Sequence, residues 1–204
     1  MRLDGKVAIC TGADNDIGRA IAVRLASEGA RIVAVSPDPQ KAQDTVAAIE
    51  KAGGTTSVVG GDFSQEADAE RIVGTAVDKF GRVDVLVNYG ANRRIVGTIM
   101  DVTDSDFEEE LRVDLKGAIG SIINLSSVAS FGVKGRALRS LTKAAVNSLT
   151  AAMAQDHGAD KIRVNAVSIG PTWNPDMERN AQQFELMKSE SALKELHTPE
   201  SHPR

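Results

Sequence analysis

The sequence predicts an α/β fold, a doubly wound parallel sheet of about six strands with helices on both faces. Short β-branched runs alternate along the chain with longer stretches whose apolar residues recur at helical spacing. These runs are also apolar throughout instead of alternating with polar residues, which is typical of strands buried on both faces of a parallel sheet. The length of 204 residues fits a single domain with one core.

The first half of the chain predicts three strands and three helices, with residues between them that are typical of helix starts and helix ends. Gly29 is placed to end the first helix. Asp38 and Pro39 suit the N-cap and the first position of the second helix. Ser64 is the candidate N-cap of the third helix. The predicted elements are a strand at 6–11, a helix at 17–29, a strand at 31–36, a helix at 40–54, a strand at 56–62 and a helix at 65–81.

The second half continues the alternation of strands and helices. Thr103 and Asp106 resemble a capping box, in which Asp replaces the usual Glu. Only one helix is recognisable between the fourth and fifth strands. The predicted elements are strands at 83–88, 121–126 and 162–168, helices at 105–117 and 140–157, and a polar, partly disordered tail at 176–204 with one helical pattern.

Composition and charge exclude several classes of function. The net charge is −4, and the sequence contains no block of like charges. Both observations argue against nucleic-acid or membrane-surface binding. The single cysteine, Cys10, lies in an apolar run and is expected to be a buried, inert thiol. Neither a membrane-spanning run nor a signal peptide is recognisable, so we expect a cytoplasmic protein. The three histidines have no metal-ligand spacing, and no metal site is predicted.

The stretch TGADNDIGRA follows the first strand and opens the first helix. Glycines at such a turn let the backbone approach a pyrophosphate, which then sits at the helix N-terminus. The stretch resembles the TGxxxGxG loop of the short-chain dehydrogenases/reductases. Further matches follow in that family's order, namely GGDF, VNYGA, VDLKG, INLSS, SLTKAAV and IRVNAVSIGP. The resemblance covers roughly residues 3–200 and implies a Rossmann-like sheet, NAD or NADP as cofactor, and an alcohol or carbonyl as substrate.

The second half of the chain is shorter than the pattern of the family it resembles. Against that pattern we expect one crossover helix to be shortened and the last strand of the sheet to be absent. The sixth strand is then an exposed edge that invites association with another copy.

The glycine loop departs from the family pattern at one position. Gly12, Ile17 and Gly18 match it, but Asp16 replaces the middle glycine. Two unit charges about 4 Å apart at an effective dielectric of about 20 repel by about 4 kcal/mol. Such repulsion would weaken binding of a dinucleotide on the order of a thousandfold. Asp16 also suits the N-cap of the first helix, where its carboxylate would take the place of the ligand's anion.

The other cofactor positions implied by the resemblance are mixed. Asp62 and Phe63 match the pair that flanks the adenine, and Asn88 matches the first residue of the family's NNAG. Tyr89 replaces the second asparagine, and filling of the vacated space is its expected role. Ser36 stands where NAD-preferring members carry an acid, with no Arg or Lys nearby for a 2′-phosphate. The choice between NAD and NADP therefore stays open.

The catalytic positions implied by the resemblance also diverge. The family's Tyr-x-x-x-Lys pair moves the proton, a serine holds the substrate oxygen, and an asparagine supports the lysine. Lys143, which also faces the cofactor, and Ser127 are in place, but Asp114 replaces the asparagine and Arg139 replaces the tyrosine. A guanidinium keeps its proton at neutral pH, so it can polarise a carbonyl but cannot act as the general acid–base. Loss of that role typically costs about a hundred- to ten-thousandfold in rate. Charge complementarity suggests that Arg139 pairs with Asp114.

Two hypotheses remain from the sequence. The first is an NAD(P)-dependent oxidoreductase acting on a small alcohol or carbonyl, with activity weak or lost. The second is a non-catalytic relative that binds a ligand or forms homo-oligomers. In both, residues 1–175 form the dinucleotide-binding domain and residues 176–204 a tail of the same domain.

Overall fold

The fold is a doubly wound parallel sheet, as the sequence predicts. The computed structural model describes residues 1–89, 99–111, 123–159, 162–170, 172, 185, 188 and 189. All described strand pairs are parallel, and the six strands lie in the order β3-β2-β1-β4-β5-β6. The strands are β1 (Val7–Thr11), β2 (Arg31–Ser36), β3 (Thr56–Gly60), β4 (Val85–Asn88), β5 (Ile123–Ser127) and β6 (Asn165–Ile169).

Helices connect these strands and cover the sheet. The order reverses between β1 and β4, so the carboxyl ends of these two strands border the crevice in which α/β proteins of this kind bind ligands. The helices are α1 (Asp16–Ser27), α2 (Gln43–Lys51), α3 (Glu66–Phe80), α4 (Asp104–Glu110) and α5 (Ala137–Asp156), with short 3₁₀ turns at Ile99–Asp101 and Val128–Phe131.

The core lies on both faces of the central strands β1 and β2. Because successive side chains of a strand point to opposite faces, each strand feeds two apolar clusters. One cluster joins Ala8 and Cys10 to residues of α1 and α2, and the other joins Val7 and Ile9 to residues of α3. Burial raises the pKa of the Cys10 thiol to about 12, as expected of an inert core cysteine. Continuous apolar strands are therefore what this sheet requires.

The start of α2 differs from the prediction. The helix begins at Gln43, and no side-chain hydrogen bond caps it. Asp38 instead closes a turn, in which its Oδ1 accepts from the Gln40 backbone N–H at 3.1 Å. The ring of Pro39 packs so closely on Gly60 that a Cβ there would lie 2.5 Å from it. The Asp-Pro pair thus holds the loop against β3 before the helix starts.

The N-cap predictions for α3 and α4 had opposite outcomes. Ser64 is not the N-cap of α3, because Gln65 holds that position without a side-chain bond. Thr103 and Asp106 form the predicted capping box, in which Thr103 Oγ1 accepts from the Asp106 N–H and the Asp106 carboxylate accepts from the Thr103 N–H. The Thr103 hydroxyl donates to the Asp106 carboxylate at 2.7 Å, and this bond, followed by the one from the Thr103 N–H, holds the pKa of Asp106 below its usual range. The crossover beyond residue 111, predicted to be shortened, lies outside the described residues, and so does the tail apart from residues 185, 188 and 189, which are helical.

Among the described residues, β6 is the last strand of the sheet, in the position of the predicted edge. Its pairing with β5 runs over five registered residues, from Ile123 with Asn165 to Ser127 with Ile169. The first four residues of β6 are exposed, and Val167 retains 49% of its accessible surface. The strand also carries no charge and no proline, the devices that commonly protect an edge.

Asp84 fastens the beginning of β4 to the beginning of β1. Its Oδ2 accepts from the Val7 N–H at 3.0 Å, and its Oδ1 contacts Lys6 Nζ at 3.2 Å and Arg82 Nη2 at 2.5 Å. Burial acts to raise the pKa of Asp84, but the bonds from Arg82, Val7 and Lys6 outweigh it and hold the pKa below the usual range. The ionised form is therefore favoured by folding.

We predict that Asp84→Asn lowers the free energy of unfolding by about 1–2 kcal/mol at pH 7, since charge-assisted hydrogen bonds are lost. The folded-state pKa lies below the unfolded value of about 3.9, so this stabilisation is present above that pH and disappears as the pH falls through the folded pKa. Urea denaturation from pH 7 to pH 3 should show the two curves converging in acid. Asp78→Asn, at an exposed position of α3, is the control; an Asp84→Asn deficit that persists unchanged to pH 3 would contradict the argument.

Candidate active site

Two glycines of the loop after β1 are required by close contacts. Gly12 has φ +67°, a left-handed conformation, and a Cβ there would lie 2.2 Å from the Tyr89 carbonyl oxygen. A Cβ on Gly18 would lie 2.0 Å from the Gly12 carbonyl oxygen. Neither position can hold a larger residue without displacing backbone. The loop is therefore tight on the side of β4 and on the side of α1, as a dinucleotide-binding turn has to be.

The N-cap of α1 is Asn15, so the expectation that Asp16 caps this helix is wrong. Asn15 has extended backbone angles, and its Oδ1 accepts from the Gly18 N–H at 3.0 Å. Its Nδ2 donates to the Gly12 carbonyl at 2.5 Å, which braces the turn from inside. The sequence signal was present, because Asn ranks with Asp as a capping residue and Gly18 is three positions further on.

Asp16 is instead the first residue of α1, with 32% of its side chain exposed. Its carboxylate lies 3.9 Å from Arg19, whose guanidinium is also 3.8 Å from Asp44. Contacts of this length between partly exposed groups are weak. A carboxylate in the first turn is stabilised by the helix dipole, so Asp16 holds a negative charge where the helix favours a bound anion. The two glycines thus allow a close approach of backbone groups, and Asp16 places a carboxylate at the same end of α1.

Ser36 is the last residue of β2. It is fully buried, its Oγ donates to the Asp38 carbonyl at 2.8 Å, and the same atom accepts from the Asp38 N–H at 3.0 Å. The Ser36 hydroxyl therefore stabilises the loop formed by Pro37 and Asp38. The structure therefore shows no preference between a ribose hydroxyl and a 2′-phosphate at this position.

Asp62 and Phe63 lie after β3, in a braced turn. Asp62 Oδ1 accepts from the Ser64 N–H at 3.0 Å, and the Asp62 N–H donates to Asp68 Oδ2 at 2.7 Å. That bond, followed by one from Arg71, lowers the pKa of Asp68. Phe63 packs, partly buried, against the cluster between the sheet and α3. The pair thus occupies a fixed turn at the carboxyl edge of the sheet.

Asn88 and Tyr89 border the crevice opposite the glycine loop. Both are buried. The Tyr89 N–H donates to Thr11 Oγ1 at 2.9 Å, which joins the end of β4 to the end of β1. Tyr89 also belongs to the apolar cluster formed with α1 and α2. This packing agrees with the space-filling role expected of it.

Ser127 and Lys143 are brought together at the carboxyl end of β5. Ser127 is 8% exposed, and its Oγ accepts from the Ala129 N–H at 3.2 Å. Lys143 is 3% exposed, and its Nζ donates to the Leu125 carbonyl at 3.2 Å. Ser126 Oγ donates to the Lys143 carbonyl at 3.2 Å, so α5 and β5 are bonded in both directions. The lysine is thus held on the strand that carries the serine.

Arg139 lies one turn before Lys143 on α5 and is half-buried. Residues four apart share a helix face, so the guanidinium stands on the face that carries the lysine. A guanidinium offers five N–H donors and no acceptor, so this side chain can bind or polarise an oxygen. Asp114, its predicted partner, lies outside the described residues.

The sequence analysis missed a second tie between β5 and α5. Asn124 is fully buried, and its Nδ2 donates to Thr150 Oγ1 at 2.9 Å, which in turn donates to the Val146 carbonyl at 2.7 Å. A polar residue inside an apolar strand was the available signal. The tie helps to fix the helix that carries Arg139 and Lys143.

Across the described part of the chain, no cluster of three or more His, Cys, Asp or Glu side chains is arranged to hold a metal ion.

None of the helices in the described residues has the length and hydrophobicity to cross a membrane.

The comparison with known sequences decides the family. The model of the short chain dehydrogenase family matches residues 6–186. The chain belongs to this family. The resemblance inferred from the motifs is thereby confirmed, and the short-chain dehydrogenase fold accounts for the strand order and for the position of the glycine loop.

Several short-chain dehydrogenases and related oxidoreductases are similar to the chain. An uncharacterised oxidoreductase of Thermotoga maritima is 36% identical over 190 residues, which cover 84% of this chain and 74% of that protein. A 3β-hydroxysteroid dehydrogenase of Mediterraneibacter gnavus is 32% identical over 209 aligned positions, covering 94% of this chain and 75% of that protein. A short-chain dehydrogenase of Burkholderia cenocepacia, solved in complex with NADP, superposes with a TM-score of 0.87 at 30% identity, covering 98% of this chain and 88% of that one. Family membership supports oxidoreductase chemistry with NAD or NADP.

We predict that Asp16→Asn strengthens the binding of NADH or NADPH by about ten- to a thousandfold, because it removes the repulsion while keeping the size of the side chain. The lower bound allows for the partial neutralisation by Arg19. Fluorescence titration of reduced nucleotide measures the change. Asp44→Asn, which removes the other carboxylate near Arg19, is the matched control and should leave the affinity nearly unchanged. Equal affinities of wild type and Asp16→Asn would refute the repulsion.

Proposed function

We propose that this chain is a short-chain dehydrogenase/reductase whose oxidoreductase activity toward an alcohol or carbonyl is weak or lost. The single observation that carries the proposal is Arg139, half-buried on α5 one turn before the buried Lys143. The family moves its proton through a tyrosine at this position, and a guanidinium cannot replace that tyrosine in proton transfer. Asp16 adds a separate loss, because it weakens the binding of the nucleotide.

The remaining site residues keep the roles implied by the family in this proposal. The pyrophosphate lies against Gly12, Ile17 and Gly18. The adenine and the crevice are bordered by Asp62, Phe63 and Asn88. The ribose lies near Ser36. NAD or NADP supplies or accepts the hydride when it is bound. Ser127 donates a hydrogen bond to the substrate oxygen, Lys143 holds the ribose, and Asp114 replaces the supporting asparagine. We also propose that residues 1–175 form the dinucleotide-binding unit, with 176–204 as its tail, in a cytoplasmic protein.

A second candidate is a non-catalytic, oligomer-forming protein. The observation that favours it is β6, whose first four residues are exposed and whose strand carries no protecting charge or proline. Such an edge offers unpaired backbone groups to a second copy. Sedimentation of the purified chain distinguishes a monomer from a self-associating species, and this measurement does not depend on any catalysis.

Titration with NADH and NADPH is the first test of the principal proposal. We expect weak binding and negligible turnover of a panel of alcohols, ketones and aldehydes by the wild-type chain. Rapid dinucleotide-linked turnover by the wild type would overturn the proposal. Tight binding without turnover would remove the Asp16 argument and leave Arg139 as the sole defect.

We predict that the double change Asp16→Gly with Arg139→Tyr restores turnover, raising it by about a hundred- to ten-thousandfold over Asp16→Gly alone, the usual contribution of a general acid–base. Turnover is measured as the rate of NADH oxidation with carbonyl substrates. Asp16→Gly with Arg136→Tyr is the matched control, since it makes the same replacement at the N-cap of α5 and should restore nothing. Equal gains from Tyr at 136 and at 139 would show that the effect is not the proton transfer proposed.

A further inference from the structure

Thr45 connects α2 to the glycine loop. It is fully buried, and its Oγ1 donates to the Ala13 carbonyl at 2.6 Å, across 32 positions of sequence. A threonine inside a helix commonly bonds to the carbonyl four residues before it, within its own helix. Thr45 Oγ1 instead donates to a carbonyl outside its own helix, in the loop between β1 and α1. The side chain therefore serves a contact between two elements.

This contact completes a clamp around Ala13. The Ala13 N–H donates to the Val35 carbonyl at 3.0 Å, so β2 holds one side of the residue and α2 holds the other. Ala13 is itself fully buried. Its neighbour Gly12 already has the left-handed backbone that the turn needs, with its carbonyl bonded to Asn15. Both backbone polar groups of Ala13 thus have partners on elements outside the loop.

We propose that Thr45 is a positioning residue that holds the glycine loop in the shape that binds a dinucleotide, a statement that rests on the proposed function. Removing the hydroxyl leaves the Ala13 carbonyl buried without a partner, unless the loop moves to reach water. Such a movement displaces Gly12 and the N-terminus of α1, the groups that face the pyrophosphate. A preformed loop binds more tightly because no ordering has to accompany binding.

Thr45→Val tests the hydroxyl at nearly constant shape, and Thr45→Ser restores it. Thr75→Val is the control, because Thr75 is also helical and its Oγ1 also donates to a carbonyl, at 2.8 Å, but to that of Arg71 inside its own helix α3. If Thr45→Val does not fold, Thr45→Cys takes its place, since a thiol is a weak donor of similar size. All variants are made in the full chain.

Hydrogen exchange of the ligand-free chain is the first measurement. Thr45→Val should raise exchange in peptides covering residues 11–18 by about tenfold, while Thr45→Ser and Thr75→Val leave this loop as in the wild type. Unchanged exchange in Thr45→Val overturns the proposal. An equal increase in Thr45→Ser also overturns it, because the methyl group and not the hydroxyl would then be responsible.

Nucleotide binding is the second measurement, made in the Asp16→Gly background, where we expect the highest affinity. Thr45→Val should weaken NADH binding by about tenfold, and Thr75→Val should not change it. Unchanged affinity in Thr45→Val overturns the positioning role even if exchange has increased. If the Asp16→Gly chain binds neither NADH nor NADPH, the proposed function has failed, and loop exchange alone then decides whether Thr45 holds the loop.

Discussion

The close approach of α1 to the glycine loop is the constraint on which the site depends. A Cβ on Gly18 would lie 2.0 Å from the Gly12 carbonyl, so the helix can start this near the turn only because position 18 is glycine. That approach places the first turn of α1 at the carboxyl edge of the sheet, beside the ends of β1 and β4. The Tyr89 N–H donates to Thr11 Oγ1, and this bond joins the ends of β4 and β1 beside the first turn of α1. The geometry for a dinucleotide is therefore retained, whatever the charges around it do.

Two positions of the site carry charged side chains where the family pattern has uncharged residues, although the backbone keeps the family fold. Asp16 brings a carboxylate to the first turn of α1, and Arg139 brings a cation to the helix face that carries Lys143. Both residues are half-buried and neither belongs to the apolar clusters. Substitutions at such positions cost little stability. The chain can therefore keep a well-packed family fold with a charged side chain at each of these two positions.

Much of the fold could be predicted because its signals are local. The β2 strand was predicted with the bounds that the structure shows, since its apolar run is bounded by Gly29 and Pro37, and the Thr103–Asp106 capping box is written in four consecutive positions. Asn15 was missed in favour of Asp16 because both residues cap well and differ by one position. The late start of α2 depends on Pro39 packing against Gly60, a long-range contact that no local pattern reveals. The bonds from Asn124 to Thr150 and from Thr45 to Ala13 were invisible for the same reason.

The two altered charges act on different steps, which decides how they combine. In the proposed function, Asp16 lowers the affinity for a phosphate-bearing ligand, and Arg139 removes a proton transfer that takes place only after binding. Because the two residues stand on different helices, α1 and α5, their effects on free energy should be nearly additive. A variant that repaired only one of them would, on this proposal, still lack the other requirement. Ser127 and Lys143 are bonded to backbone groups of the turn after β5 and of β5 itself, so their placement does not depend on either charge.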